Sequence, residues 1–200
     1  MPRKKRIWYP GTKFHITSRG IRRMSLFHDE EDRLVYLQIL KETMLFYPFI
    51  LHTYCLMTNH IHLQIEPLDH PTGTIMRYLH SQYATYFNKK YDYSGHVFEG
   101  RYGSELLDTV EYELEVNKYI HLNPIRANMV QELSEYSWSS YHNYINFDPN
   151  ALVTTDRIFT FFPAPKEENY LQFLHADVKE AFSYTTLNRG ELYSEEHFIK

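Results

Sequence analysis

Two histidines at alternate positions of one segment are the first residues in the chain that could do chemistry. His60 and His62 lie within residues 54–66, a stretch that otherwise has the composition of a β-strand. Because successive side chains of a strand leave opposite faces, both imidazoles project from the same side. Two neutral ring nitrogens that converge form half of a divalent-metal site. The pair alone is weak support, since the chain contains twelve histidines and a solvated strand face gives the same pattern.

A tyrosine supplies a candidate nucleophile. Glu115, Tyr119 and Asn123 are spaced four residues apart, so a helix places them on one face. Carboxylate and amide oxygens are ligands that Mg²⁺ or Mn²⁺ accepts. A metal that orients a phosphate would let the phenol oxygen attack phosphorus and conserve the bond energy as a phosphotyrosine ester. Without the histidine pair, Tyr119 would be interpreted as an aromatic residue at the edge of the core.

Positive charge is concentrated near the start of the chain, although the net charge is −4. A basic leading segment on an otherwise balanced body can bind phosphates locally. Five arginines are candidate phosphate contacts. They follow the first predicted strand, lie among glycines or follow a proline, and they are Arg19, Arg22, Arg23, Arg101 and Arg126. The alternative for each is an ordinary surface ion pair.

The elements that must position these residues follow the order strand, helix, two strands, helix, strand. This order predicts an α+β fold with a ferredoxin-like antiparallel sheet (βαββαβ), helices on one face and the histidines on the free face. The patterns predict strands over residues 12–18, 49–57, the histidine segment and part of 95–108, and helices over 30–47 and 74–90.

A further helix carries Tyr119. Thr109 is its predicted N-cap, and the helix is expected to stop at Asn123, because a residue before proline disfavours the helical region. Residues 126–132 are predicted to form another short helix, and 167–181 a C-terminal one. We therefore expect a catalytic domain over residues 1–146 and a C-terminal helical extension of uncertain role over 147–200.

Composition bounds the remaining properties. A chain of 200 residues with 43% hydrophobic residues suits one good core. The single cysteine, Cys55, excludes an intrachain disulfide and fits a reducing compartment. No apolar stretch is long enough for a membrane span or secretion signal, so we expect a cytoplasmic protein without a membrane partner.

Several separate blocks carry a family resemblance. The segments CLMTNHIHLQI, MRYLHSQYATYFNKKY, GHVFEGRYGS and NKYIHLNPIRANMV, followed by YSWSSY, resemble the REP-associated tyrosine transposases, a branch of the single-tyrosine HUH transposases. The resemblance covers roughly residues 9–144, in the order that the family has them.

The resemblance implies roles for particular residues. It implies that His60 and His62 are the metal ligands, that Tyr119 becomes linked to a DNA 5′ phosphate, and that Asn123 completes the metal shell, with Glu115 as the substitute. It implies Mg²⁺ or Mn²⁺ as cofactor and single-stranded DNA with a hairpin as partner. It leaves open whether the protein is a monomer or a homodimer.

Two other functions remain open from the sequence. One is a domesticated, non-catalytic DNA-binding regulatory protein of the same fold, which the intact set of His60, His62, Tyr119 and Asn123 argues against. The other is a Zn²⁺ hydrolase in which water attacks and Tyr119 has no role. If another tyrosine were the nucleophile, Tyr112 and Tyr102 would be next.

Overall fold

The structure, a computed structural model, describes residues 8–146 and 151–176. The β-strands of this part of the chain are β1 (Lys13–Arg19), β2 (Phe49–Leu56), β3 (His60–Pro67) and β4 (Gly103–Leu107). Its α-helices are α1 (Glu30–Phe46), α2 (Thr72–Lys90), α3 (Val110–Arg126), α4 (Tyr141–Ile145), α5 (Asp156–Phe159) and α6 (Lys166–His175). Two short 3₁₀ turns occupy Ile21–Arg23 and Leu133–Glu135.

The strands form one antiparallel sheet in the order β2-β3-β1-β4. With α1 between β1 and β2, and α2 between β3 and β4, this is the ferredoxin-like βαββαβ arrangement. The predicted fold class is therefore confirmed. The last strand is shorter than the region predicted for it, because Gly95 and Gly100 adopt positive φ angles that interrupt an extended conformation before Gly103.

The alternation of side chains gives the sheet two different faces. Apolar residues of β1 and β3, among them Ile16 and Leu63, pack into the main core with α1 and α2. The intervening residues, among them His15, His62 and Gln64, are buried on the other face. Helix α3 covers part of that second face, where it contacts β2 and β3.

The chain after α3 continues along the exposed edge of β2. The backbone N–H of Leu56 donates to the carbonyl of Trp138 at 2.9 Å, and the N–H of Ser140 donates to the carbonyl of Tyr54 at 3.0 Å. Such pairing protects an edge strand that would otherwise present free backbone groups. The segment YSWSSY thus completes the sheet on the side of α3.

The described residues divide into two compact units, one ending at Phe161 and the other beginning at Phe162. In the second unit, the rings of Tyr170 and Phe173 in α6 both lie 5.5 Å from that of Phe162. Helix α6 ends at His175, and the rest of the helix predicted up to residue 181 falls largely outside the described residues. The domain boundary after residue 146 stays a prediction. No described helix combines the length and the apolar character needed to cross a membrane.

Helix α1 begins where the sequence predicts, at an Asp29 N-cap. The Asp29 side chain accepts from the backbone N–H of Asp32 at 2.9 Å, and Asp32 accepts from the N–H of Asp29 at 3.3 Å, which forms a capping box. Asp32 is fully buried and also accepts from Tyr91 at 2.7 Å and from Lys90 at 2.9 Å at the end of α2. This carboxylate therefore joins the start of α1 to the end of α2.

We predict that Asp32→Asn lowers the free energy of unfolding at neutral pH by about 2 kcal/mol, because it weakens several charge-assisted hydrogen bonds to a buried group. Burial by itself would raise the pKa of Asp32, but hydrogen bonds from Tyr91, Lys90 and the backbone of His28 outweigh it and lower the pKa to about 2. Since the folded-state pKa is below the unfolded one, the stabilisation is complete above about pH 4 and is lost as the pH falls toward 2.

Urea denaturation across this pH range measures the effect. Glu31→Gln is the matched control, because Glu31 contacts the same Lys90 at 2.9 Å but its side chain is 69% exposed, and exposed pairs contribute under about 1 kcal/mol. Equal losses in the two variants would contradict the prediction.

Candidate active site

His60 and His62 lie at the start of β3 and share one face of the sheet. Across the sheet they pair with Arg19 and Thr17 of β1. Their ring centroids are 5.0 Å apart with nearly perpendicular planes. His62 is buried and His60 is partly exposed, so the pair opens to solvent on the His60 side.

Both imidazoles are held neutral. Burial, together with the charge of Arg19, lowers the pKa of His60 to about 4. A hydrogen bond with Asn123 acts in the opposite direction but is outweighed. Burial is the main cause that lowers the pKa of His62 well below its ordinary value. Electrostatic interaction with the neighbouring His15 and His60 lowers it further. A neutral imidazole keeps one nitrogen lone pair, which a metal requires.

Asn59 determines which nitrogen of His60 carries the proton. The amide nitrogen of Asn59 donates to the carbonyl of Arg23 at 3.2 Å, which directs its oxygen to Nδ1 of His60 at 2.8 Å. The oxygen can only accept, so Nδ1 is protonated and Nε2 keeps its lone pair. The sequence analysis did not identify this role of Asn59.

Helix α3 carries the candidate nucleophile and is longer than predicted. Its predicted N-cap is confirmed, because Oγ1 of Thr109 accepts from the N–H of Tyr112 at 3.2 Å. The prediction that it stops at Asn123 is wrong, since the helix continues through Pro124 to Arg126. The predicted short helix over residues 126–132 is also wrong, because its first residue belongs to the last turn of α3.

The end of α3 is set by Asn128. This residue has φ of 53°, and its N–H donates to Ile125 while that of Met129 donates to Pro124, both at 2.9 Å. These two bonds form a Schellman motif with asparagine at the left-handed position. Pro124 removes only one backbone hydrogen bond from this last turn. The Schellman motif therefore outweighs the preference of Asn123, the residue before the proline, for a non-helical conformation.

A buried polar cluster fixes α3 on the sheet. The side-chain amide of Asn117 donates to Tyr144 at 3.0 Å, to Gln64 at 3.3 Å and to Thr53. A buried amide without hydrogen-bond partners would lower the stability of the fold. These bonds therefore restrict the position and rotation of the helix. Tyr119 lies about half a turn further along.

The Tyr119 ring stands against the imidazoles. Its centroid lies 5.4 Å from that of His62 and 6.1 Å from that of His15, both edge-on. The guanidinium of Arg126 lies 5.2 Å from the ring centroid. Burial raises the pKa of the Tyr119 phenol, while a hydrogen bond with Asn123 and the charges of Arg126 and Arg19 act to lower it.

The side chain of Asn123 acts on both the candidate nucleophile and the histidine pair. Its amide lies 3.4 Å from Nε2 of His62, and it acts to raise the pKa of His60 and to lower that of Tyr119. Glu115 is on the same helix, and burial raises the pKa of its carboxyl with help from Glu111. Within residues 8–146 and 151–176, no three histidine, cysteine, aspartate or glutamate side chains are grouped so that they could hold a metal.

The donor set fits a divalent cation with open coordination positions. It comprises the Nε2 lone pairs of His60 and His62 and, after an amide rotation, the side-chain oxygen of Asn123. Two imidazoles and a neutral oxygen are ligands that a divalent metal accepts, with water or a phosphate oxygen in the remaining positions.

The other candidate tyrosines have different partners. The hydroxyl of Tyr112 donates to Oε2 of Glu105 at 3.0 Å. Tyr102 is buried, and its hydroxyl lies 2.8 Å from Oγ1 of Thr72. Among the three tyrosines, Tyr119 is the one whose ring packs against His62.

Two of the predicted arginines lie in a backbone turn that follows β1 and is bonded to the start of the histidine strand, and Arg19 is the last residue of β1 before it. Arg22 and Arg23 are exposed and have φ of 50° and 61°, a region that is unfavourable for non-glycine residues. A Cβ on Gly20 would collide with the carbonyl of Met24, so the turn requires glycine there. The N–H of Gly20 donates to the carbonyl of Asn59 at 2.9 Å, which holds the turn beside the start of β3.

Arg101 lies close to this turn, because the segment before it pairs with the backbone after β1. The N–H of Glu99 donates to the carbonyl of Arg19 at 2.8 Å, and that of Ile21 donates to the carbonyl of Val97 at 2.9 Å. In the described part of the chain, none of Arg19, Arg22, Arg23 and Arg101 forms an ion pair with a carboxylate. Arg126 lies on α3, against Tyr119.

Comparison with known proteins decides the family. The IS200-like transposase family matches residues 9–123, more than half of the chain. The chain belongs to the IS200-like transposase family. The expected resemblance to its REP-associated branch agrees with this family and with the fold.

Two solved structures resemble this IS200-like transposase. One is a REP-associated tyrosine transposase bound to a REP hairpin, with 15% identity and a TM-score of 0.64, covering 77% of this chain and 91% of that one. The other is a putative transposase from Deinococcus radiodurans, with 16% identity and a TM-score of 0.42, covering 59% of this chain and 95% of that one. No curated protein matches the sequence.

We predict that the end of α3 in this transposase depends on the backbone conformation of Asn128. Asn128→Gly should keep or slightly raise the free energy of unfolding, because glycine adopts positive φ without strain. Asn128→Val should lower it by about 1 to 2 kcal/mol, because a β-branched side chain is strained there. Chemical denaturation of both variants checks the difference, and equal stabilities would argue against this helix end.

Proposed function

We propose that this transposase is a metal-dependent endonuclease and strand transferase that cleaves single-stranded DNA at hairpin-associated sites through a 5′-phosphotyrosine intermediate. The observation that carries the proposal is the position of one amide, that of Asn123, which lies 3.4 Å from Nε2 of His62 and acts on the pKa of both His60 and Tyr119.

Tyr119 acts as the nucleophile in this proposal. Its phenol oxygen attacks the phosphorus and forms the phosphotyrosine bond, while the bond from phosphorus to the 3′ oxygen breaks in line. The phenol proton passes to solvent, and the leaving 3′ oxygen takes up a proton as a hydroxyl. The reverse attack by a 3′ hydroxyl rejoins DNA without a high-energy cofactor.

His60, His62 and Asn123 would hold Mg²⁺ or Mn²⁺. When bound, the ion would withdraw charge from the scissile phosphate and orient it. The chain itself keeps both imidazoles deprotonated through burial and holds the phenol ring edge-on to His62.

The arginines would bind the phosphates of the substrate. Arg126 and Arg19 act electrostatically on Tyr119, so they would contact the phosphates next to the cleaved bond. Arg22, Arg23 and Arg101 would contact the backbone further along. The hairpin in the solved relative supports a hairpin-bearing single strand as partner. We propose a cytoplasmic protein that acts as a monomer or a homodimer.

The first prediction from this proposal concerns the nucleophile. Tyr119→Phe should abolish the covalent protein–DNA adduct, because it removes the attacking oxygen, while hairpin binding changes less than about threefold. A denaturing gel with labelled hairpin-bearing DNA and Mn²⁺ measures the adduct, and a gel shift measures binding. Tyr112→Phe is the control and should still form the adduct.

The outcomes separate the candidate functions. An adduct formed by the Tyr119→Phe variant would mean that another tyrosine attacks. Binding without cleavage by the wild-type protein would favour the regulatory DNA-binding protein, and cleavage without any adduct would favour attack by water.

The second prediction concerns the third metal ligand. Asn123→Ala should weaken Mn²⁺ binding at least about tenfold, since effects of that size already follow loss of groups that only support ligands. Glu115→Gln should leave Mn²⁺ binding within about twofold, since no described group of three ionisable ligand side chains includes it. Calorimetric titration in the absence of DNA checks both variants. The reverse ranking would make Glu115 the ligand.

A further inference from the structure

Buried polar side chains at every fourth position hold α3 against its neighbours. Glu113, Asn117 and His121 are all buried, and residues four apart share one face of a helix. The amide of Asn117 donates to Gln64 of the sheet, and Nε2 of His121 lies 2.9 Å from Oγ of Ser140. Burial lowers the pKa of His121 to about 3. Of these three residues, which we call the polar row, Glu113 is therefore the one that carries a charge.

Arg157 neutralises the carboxylate of Glu113. Its Nε donates to Oε1 and its Nη2 donates to Oε2, both at 2.7 Å. The side chain of Glu113 is 2% exposed, whereas that of Arg157 is 35% exposed. Two parallel bonds fix the direction of the pair as well as its distance. A carboxylate buried this deeply would be strongly unfavourable without its partner.

The segment that carries Arg157 is itself held in place. Val153 is buried in the main core, and the N–H of Thr154 donates to the carbonyl of Leu51 in β2 at 2.8 Å. The guanidinium of Arg157 also lies 5.1 Å from the ring centroid of Phe161. This segment therefore connects β2 to the start of α3.

The rotation of α3 about its axis decides whether the nucleophile faces the cation site. Tyr119 lies two residues from both Asn117 and His121, so its side chain leaves the helix on a different side from the polar row. Its ring packs edge-on against His62, with the centroids 5.4 Å apart. A small rotation would move the phenol away from the imidazoles, and a misplacement of about 1 Å can slow a reaction about a hundredfold.

We propose that Arg157 is a positioning residue for the nucleophile: its ion pair with Glu113 holds α3 in the rotation that presents Tyr119 and Asn123 to the histidines. This inference rests on the proposed function, in which Tyr119 attacks DNA. Arg157 lies beyond residues 9–123, which match the family, and beyond the predicted boundary of the catalytic domain. The site thus depends on a residue that the family match does not include.

The first test measures the rate of adduct formation with Mn²⁺ at saturating hairpin-bearing DNA. Arg157→Met should slow this rate at least about tenfold, because the uncompensated carboxylate displaces α3, while DNA affinity changes less than about threefold. Adding Glu113→Leu to this variant should restore the rate to within about threefold, because apolar side chains can replace a buried ion pair. An unchanged rate in Arg157→Met, or a double variant no faster than the single one, would overturn the proposal.

Asp32→Asn is the matched control for loss of stability. Asp32 accepts from Tyr91 at 2.7 Å and joins α1 to α2, which pack on the other face of the sheet from α3. The rate of adduct formation in this variant should stay within about twofold of wild type. Equal slowing in Asp32→Asn and Arg157→Met would show that lost stability, and not the position of α3, lowers the rate, and this result would contradict the inference.

The second test follows α3 without DNA, by amide hydrogen exchange measured with mass spectrometry. Arg157→Met should speed exchange in α3 at least about tenfold and leave α1 and α2 unchanged, and the double variant should reverse the effect. Unchanged exchange in α3, or an equal increase in all three helices, would overturn the positioning role. A wild-type protein that forms no adduct would contradict the proposed function, while the exchange measurement would still test the hold of Arg157 on α3.

Discussion

The antiparallel register between β1 and β3 is the constraint on which the site depends. It pairs Thr17 with His62 and Arg19 with His60, so the two proposed metal ligands and a guanidinium meet at one end of the sheet. A slip of one residue would turn the histidines into the apolar core and Ile61 toward α3. The core of Ile16, Leu63 and their neighbours under α1 and α2 therefore fixes the site as well as the fold.

The proposed metal ligands come from different kinds of structure, and each is held by a separate interaction. His60 is oriented by Asn59 and His62 by His15, while Asn123 is carried by a helix that Asn117 fastens to the sheet. Because Asn123 lies one turn from the Schellman motif at Asn128, its backbone is still helical. Rigid elements, and not loops, thus supply the imidazoles, the amide and the phenol, as precise chemistry requires.

The sequence predicted what depends on local periodicity and missed what depends on pairing between distant segments. The shared face of His60 and His62 follows from the period of a strand, and the start of α1 follows from the Asp29 cap, so both were predictable. The contact of His15 with His62 joins residues 47 positions apart, and no local pattern specifies it. The end of α3 differs from the prediction because the left-handed residue Asn128 outweighs the preference of Asn123 for a non-helical conformation before proline.

In the proposed reaction, the arginines near Tyr119 would take part in activating the phenol as well as in binding DNA. Burial already raises the pKa of the Tyr119 phenol, and a phosphate brought beside it would raise that pKa further, because a negative neighbour disfavours phenolate. A productive complex must offset both effects. Arg126 and Arg19 act in the required direction on Tyr119, and Arg126 lies 5.2 Å from its ring. In the proposed reaction, the guanidinium groups that attract the DNA backbone therefore also help to stabilise the charge that the attacking oxygen develops.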